Sequence, residues 1–590
     1  MRASTQHVCA AALAMLVAGA AARAVDGLGF DCYVVPAISS IKRLPDSVPT
    51  DGRKGTRLRV IAARGEYEPA SFVLVPTRQV ARLELKASAL AGKGGRVPAA
   101  NVDIKVVKCW YQAGTAWFSY FADPTRRVLT PELLLHDETL VKVDRTSHDN
   151  YLRVDYPEGP QYVWVSYPQK AETGRKFNHN TEPVADSPAL KPVRLVPGEN
   201  KQIWVTVRAP ADAAAGLYRG TIALAADGRK VGEMTLELRV LPFELPPPKT
   251  YYDLTKDYYA SMYNHCSIDE HVKDNGGDWE LAGRKLLAEY VNMREHNLLY
   301  PLIRGYRHDK RKQFVRKLEV MKEAGLPARP VFGAVWAGTY GGWKQTDKRF
   351  EEFRRNVDEA WSAVKAVLGH TDIYAWGWDE PGYTTVIAQR RFWRYIHQKG
   401  GRIFSTGKPW HLRWAGHAED FMNHGGWLGR DEATRWHAVG ARVSSYAAPH
   451  TGPENPEFMR RAHGMGIYKA GQDGTFNYMW YEHPPNIWNE FGRGSYRAFC
   501  MVYPTRTGVI DTLAWEGYRE AIDDVRYATL LKTLAARAVA AGGVEKLYAG
   551  RKAIRWLEEF DEKTGDLNTM RLEMIDRILK LRAILKGGDR

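Results

Sequence analysis

Cysteine is scarce in this chain, five in 590 residues, and that excludes a disulfide-dense scaffold. Cys9 lies in an N-terminal apolar run. Cys32, Cys109, Cys266 and Cys500 are too widely spaced for a zinc knuckle or a compact disulfide framework, so ordinary buried thiols are expected. There is no HExxH, no Walker-type loop and no GxGxxG after a suitable strand, and His450, His463 and His483 lack metal-ligand spacing. No metal and no cofactor is expected. Beyond the N-terminus no segment reaches about 18 uninterrupted apolar residues, so no membrane insertion is expected. Blocks of like charge are short, Lys310-Arg311-Lys312 being an example, so the formal charge of +16 reads as a solvated basic surface and not as a nucleic-acid interface.

What is present begins with an export signal. Arg2 is followed by the apolar run VCAAALAMLVAGAA and by the small-x-small site Ala22-Arg23-Ala24. Residues 1–24 therefore read as a cleavable signal peptide, cut near Ala24, and the mature protein as secreted or periplasmic. Loss of Arg2 and Arg23 leaves 16 − 2 = +14, a charge that suits an anionic glycan partner. Aromatic residues are abundant, with 19 Trp and 30 Tyr. Flat aromatic faces suit the apolar C–H faces of sugar rings, although cores use the same residues.

Residues 25–245 alternate apolar and polar positions between Gly, Pro and Asp breaks, as in RLRVIAARGEYEPASFVLVP and KQIWVTVRAPADAAAGLYRGTIALAA. This predicts a β-sandwich. The proline-rich LPFELPPPKT (241–250) marks a boundary. From 246 to 530 strands and helices alternate, with candidate strands near 251–257, 298–304, 328–335, 371–379, 401–406, 440–446, 465–471 and 507–513. Segments 347–370 and 384–400 have helical periodicity. Eight such repeats over about 270 residues predict a (β/α)8 TIM-type barrel, and residues 531–590 a helical extension.

The stretch YAWGWDEPG (374–382) places Asp379 and Glu380 at the C-terminal end of the fourth predicted strand, the face where such barrels carry chemistry. Pro381-Gly382 turns the chain away there, so neighbouring side chains need not diverge as they do within a strand. In a water-poor cleft two carboxylates push their pKa values apart, leaving a general acid beside a lasting negative charge. Glycosidic cleavage uses that combination. Adjacent residues straddle a glycosidic bond poorly, but they suit a scheme in which the substrate's own 2-acetamido oxygen attacks the anomeric carbon.

WGWDEPG on a mid-barrel strand, the preceding ARGEYEPASFVLVP and the closing WEGYREAIDDVRYATLL (515–531) together resemble glycoside hydrolase family 123, over about residues 57–531. The resemblance implies an exo-acting β-N-acetylhexosaminidase, N-acetylgalactosamine favoured, working by substrate-assisted retention. It implies Asp379 as the acetamide-orienting residue and Glu380 as the general acid/base. Two alternatives stay open. One is a conventional retaining glycosidase with Glu380 as acid/base and Glu482 or Glu516 as nucleophile; the other is a glycan-binding protein without turnover.

Further candidates for lining the cleft are Trp378 beside the pair, Trp336 after strand three and Trp410 after strand five. Trp480 is expected to floor the sugar and Tyr481 to bond its acetamide, both in a loop after strand seven. Arg304 ends strand two, placed to bond hydroxyls or a carboxylate, and Asp257 ends strand one, placed to bond sugar hydroxyls. The acids of WEGYREAIDDVRY are expected to lock the last helix in place. Oligomeric state is not legible.

Overall fold

The computed structural model describes residues 29–113, 117, 123, 125–167, 182–264, 266–303, 305–338, 346–415, 418–447, 450, 454–481, 487–491 and 499–587. The signal-peptide reading of residues 1–24 falls outside these. The N-terminal part is built from sheets. One has six strands in the order Arg53–Lys54, Phe30–Val35, Tyr67–Pro76, Lys201–Arg208, Val102–Ala113 and Arg127–Leu135. The other has the spine Val193–Leu195, Val80–Ala87, Gly216–Ala226, Arg229–Glu244 and Arg57–Arg64. Strand Arg57–Arg64 buries alternate residues, as a sheet with one covered face requires. Lys201–Arg208 instead buries Gln202 through Val205 in succession. Both of its faces are covered, because Trp204, Val107 and Leu134 pack against Leu513 at the start of a C-terminal helix.

The second part is a curled, barrel-like parallel sheet. Its order is Tyr259–Met262, Gly474–Asn477, Arg442–Ser445, Phe421–His424, Arg402–Gly407, Ile373–Trp376 and Val331–Trp336. Residues 299–303 and 305–306 bond to the two edges. Leu299 and Tyr300 N–H groups donate to the Ala260 carbonyl, while Ile303 donates to Phe332 and Tyr306 to Ala334. Gly333 permits this closure: its φ is +80°, and a Cβ there would stand 2.3 Å from the Ile303 carbonyl oxygen. The interior is aromatic, with Phe332 stacked on Tyr374 at 4.6 Å and Phe476 packed 4.8 Å from Phe332 and Phe404.

The helices predicted at 347–370 and 384–400 are present as Asp347–Leu368 and Tyr383–Gln398. The first is capped by the Thr346 hydroxyl, which accepts from Arg349 N–H. The strand assignment needs correction at both ends. The first strand is Tyr259–Met262, not 251–257. Residues 465–471 coil into the helical run around Ile467–Lys469, and the strand follows at Gly474–Asn477. Residues 507–511 belong to the hairpin Val502–Pro504/Val509–Asp511 outside the parallel sheet, and Leu513 begins a helix. Phe421–His424 was missed, since FMNH is short and half polar. At the C-terminus the helix Leu513–Ala540 runs unbroken across residue 530 and is followed by Val544–Glu559 and Leu567–Lys586. Among the described residues no helix is long and apolar enough to cross a membrane. All four cysteines expected to be thiols are free; Cys32, Cys266 and Cys500 are buried and Cys109 half-buried.

Candidate active site

Strand Ile373–Trp376 ends at the C-terminal mouth of the parallel sheet, and three neighbours hold the backbone beyond it. Gly377 N–H donates to the Phe404 carbonyl at 2.8 Å, and Trp378 N–H to Gln389 Oε1 at 2.6 Å. Glu380 N–H donates to Thr406 Oγ1 at 3.0 Å, with Glu380 in the left-handed region at φ +44°. A glutamate pays strain in that conformation, and such strain gathers at functional sites. Thr406, at the end of the neighbouring strand, also donates its hydroxyl proton to Asp379 Oδ1 at 2.6 Å. One side chain therefore fixes the first carboxylate and the backbone of the second.

The turn is anchored once more from below. The buried His411 ring reaches the Pro381 carbonyl with Nε2 and Glu419 Oε1 with Nδ1, each at 3.1 Å. The space for that ring exists because position 407 is glycine; a Cβ there would lie 2.2 Å from His411 Cε1.

Asp379 and Glu380 are both exposed, and they open onto a cavity of about 620 Å³. Trp336 and Trp376 line it as a stacked pair, centroids 4.6 Å apart and 12° from parallel. Tyr263, Tyr446, Tyr478 and Phe499 complete much of the wall. The Tyr263 ring meets Trp376 at 5.3 Å, and its oxygen accepts from Asn423 Nδ2 at 3.1 Å. Burial, followed by the charge of Asp379, holds the Tyr263 hydroxyl well above its ordinary pKa, so it remains a proton donor. Burial lowers His450, also on the wall, to about 4, so its ring is neutral at neutral pH. Among the described residues lining the cavity, Asp379 and Glu380 are the carboxylates.

The predicted site residues separate into groups. Asp379, Glu380 and Trp336 come together at the cavity. Trp378 is half-buried in the same turn, and Trp410 is exposed beside His411. Trp480 and Tyr481 do not reach the cavity. They follow the last strand of the sheet, both are buried, and the Tyr481 hydroxyl donates to Glu289 Oε1 at 3.0 Å. Asp257 precedes strand Tyr259–Met262, which puts it at the opposite end of the sheet, ion-paired with Lys249. Arg304 and Glu482 lie outside the described residues. Glu516 is buried against Arg519 and 3.3 Å from His296, away from the cavity. Sequence reasoning missed Trp376, Tyr263 and Thr406 as site residues; the alternation of YAW was the only local signal for the first.

His296, Asp511 and Glu516 form a trio of ligand-type groups within 4.8 Å of one another. Lys105, 2.9 Å from Asp511, and Arg519 on Glu516 already supply positive charge there.

No protein-family model matches this chain, and no curated protein sequence matches it. Among solved structures, a family 123 glycoside hydrolase from Clostridium perfringens, described for glycolipid glycan hydrolysis, superposes with a TM-score of 0.61. The match covers 95% of this chain and 98% of that one at 10% identity. The chain shares its fold with a glycoside hydrolase. A Bacteroides ovatus GH5 xyloglucanase aligns over 79% of this chain and 98% of its own at 8% identity, with a TM-score of 0.30. Bacteroides uniformis beta-glucuronidase 2 aligns over 76% and 47% at 10% identity, with a TM-score of 0.27. Scores that low add nothing to the argument.

Proposed function

We propose that the protein is an exported glycoside hydrolase with a (β/α)8 catalytic barrel. It removes terminal β-linked N-acetylhexosamine, N-acetylgalactosamine favoured, by substrate-assisted retention. The observation that carries this reading is the pairing of two adjacent, exposed carboxylates over a stacked tryptophan pair, with no third carboxylate among the described cavity residues. The fold shared with a family 123 enzyme supports it.

In this scheme the sugar lies against the Trp336–Trp376 pair and displaces water from both acids, which strengthens the interactions between them and the substrate. Asp379, held by Thr406, accepts the acetamide N–H and turns the acetamide oxygen toward the anomeric carbon. That oxygen bonds to the carbon as the glycosidic C–O bond breaks, and Glu380 delivers its proton to the leaving oxygen. Water then adds to the same carbon, Glu380 takes a proton from it, and the ring formed by the acetamide opens, restoring the original configuration. Tyr263 takes the place expected of Tyr481, as the hydroxyl able to reach a bound acetamide. The mature charge of +14 suits a glycan bearing anionic groups. The conventional alternative with Glu516 as nucleophile places that acid on Arg519, away from the cavity.

The test compares an aryl β-N-acetylgalactosaminide with the matching aryl β-galactoside. The acetamido substrate is expected to be cleaved and a thiazoline mimic of the cyclised sugar to inhibit. Equal cleavage of the two substrates would remove substrate assistance.

A further inference from the structure

Seven of the tryptophans serve as core: Trp110, Trp204, Trp393, Trp436, Trp480, Trp488 and Trp515 are each fully buried. Among the described residues those that stand exposed are Trp410 at 37%, Trp414 at 39% and Trp427 at 51%. They follow the strands Arg402–Gly407 and Phe421–His424, on the mouth of the sheet that carries the acid pair. Tyr383, 51% exposed, stands 5.0 Å from Trp414, ring to ring. Trp410 packs 4.4 Å from His411, whose Nε2 holds the Pro381 carbonyl. An aromatic patch thus begins within three residues of Glu380. Exposed aromatic area of this kind, beside the turn that carries the acid pair, suits a surface that a ligand covers.

The proposed chemistry says which ligand. Glu380 protonates the leaving oxygen, so whatever is attached to that oxygen departs on the side of Glu380. We infer that Tyr383, Trp410 and Trp414 are the landing for the leaving group, and that this group is itself a saccharide whose pyranose rings stack on these aromatic faces. This rests on the glycosidase reading and narrows it: the substrate is the end of a glycan of at least two further sugars and not a simple glycoside. Trp336 and Trp376 hold the sugar that is released, and the second aromatic set holds what it is released from.

The experiment measures kcat/KM on two substrates carrying the same terminal β-N-acetylgalactosamine, one an aryl glycoside and one a trisaccharide. For Trp414→Ala and for Tyr383→Ala the ratio of trisaccharide to aryl activity is expected to fall about tenfold, while Trp414→Phe retains most of it. A ratio that does not move, or equal loss on both substrates, overturns the saccharide landing and leaves the glycosidase reading intact. Cleavage of neither substrate by the unaltered protein overturns the glycosidase reading and this inference with it. Binding to phosphatidylcholine vesicles that Trp414→Ala abolishes, with the ratio unchanged, would assign the patch to a lipid surface and likewise overturn it.

Discussion

Two groups of carboxylates among the described residues are built on opposite plans. In the cleft, Asp379 and Glu380 are exposed, the Thr406 hydroxyl donates to the Asp379 carboxylate and accepts from Glu380 N–H, and neither acid has a salt-bridge partner among the described residues. On helix Leu513–Ala540, Glu516, Glu520, Asp523 and Asp524 are buried, and guanidinium groups face them. Arg571 reaches Glu520, Asp524 and Glu68; Arg460 reaches Asp524 at 2.7 Å; Arg526 reaches Asp523 at 2.8 Å. The buried set ties strand Tyr67–Pro76, helix Pro456–Arg461 and helix Leu567–Lys586 to one helix. A carboxylate neutralised by arginine is spent on structure, whereas an exposed one with no arginine on it can meet a ligand.

The sharpest way to break this contrast is to neutralise each member of the exposed pair. Asp379→Asn and Glu380→Gln are each expected to lower kcat on unactivated glycans by about 10²–10⁴-fold, the usual range for loss of a catalytic acid or base. They should differ with leaving group. A good aryl leaving group needs little protonation, so Glu380→Gln recovers much of its first-step rate with a nitrophenyl glycoside, while Asp379→Asn does not. The same variants should leave the urea midpoint of unfolding nearly unchanged, since neither acid is buried.

The mirror experiment is Arg571→Met. Removing one partner from a buried ionic cluster leaves uncompensated carboxylates and costs about 3–5 kcal/mol. Here the expected result is a large fall in the urea midpoint with kcat per folded molecule within about twofold. If instead activity vanished at unchanged stability, the buried cluster would have to be reassigned to the chemistry.

The sequence separated these two regions better than it placed the residues around them. DEP behind an alternating strand was legible because a strand end and a Pro-Gly turn are local features, and the helices at 347–370 and 384–400 because their periodicity is local too. Trp480 and Tyr481 went wrong because an aromatic run reads alike whether it lines a cavity or fills a core; burial on Glu289 decided it. Asp257 went wrong through a strand start two residues further on, which moves a side chain from the mouth of the sheet to its base. Thr406 and His411 act through contacts with a turn about 25 to 30 residues earlier, and no spacing in the chain announces such partners.

Thr406 allows a finer cut, within the exposed pair. Thr406→Val keeps the shape and removes the hydroxyl that bonds Asp379 and receives Glu380 N–H. Loss of a bond to a charged group costs about 1.5–3 kcal/mol, so kcat is expected to fall about tenfold to a hundredfold, with KM nearly unchanged and Thr406→Ser restoring most of the rate. Equal kcat in Thr406→Val would mean that the turn holds Asp379 without it.

The smallest expected effect tests whether the buried plan is one of full neutralisation. Glu66 Oε2 accepts from Ala63 N–H at 2.5 Å and from the Tyr527 hydroxyl at 2.7 Å. Burial and then the charge of Asp523 raise its pKa from an ordinary 4.5 to about 7, against the pull of Arg571. Below about 4.5 the carboxyl is protonated folded or unfolded; between there and about 7 only the folded state keeps the proton; above that the fold carries a buried charge. Glu66 therefore removes stability as pH rises through this window. Carboxyls held low by arginine, such as Asp524, act with the opposite sign but below their ordinary 3.8, so the two windows do not overlap. The urea midpoint of the unaltered protein should decline from pH 5 to pH 8, roughly within that window, and decline less in Glu66→Gln, whose amide oxygen can still accept from Tyr527. An unchanged slope would mean that the arginines compensate every acid in the cluster. A shift in the pH profile of glycan cleavage would mean that the two sets of acids, separate in the structure, are coupled in function.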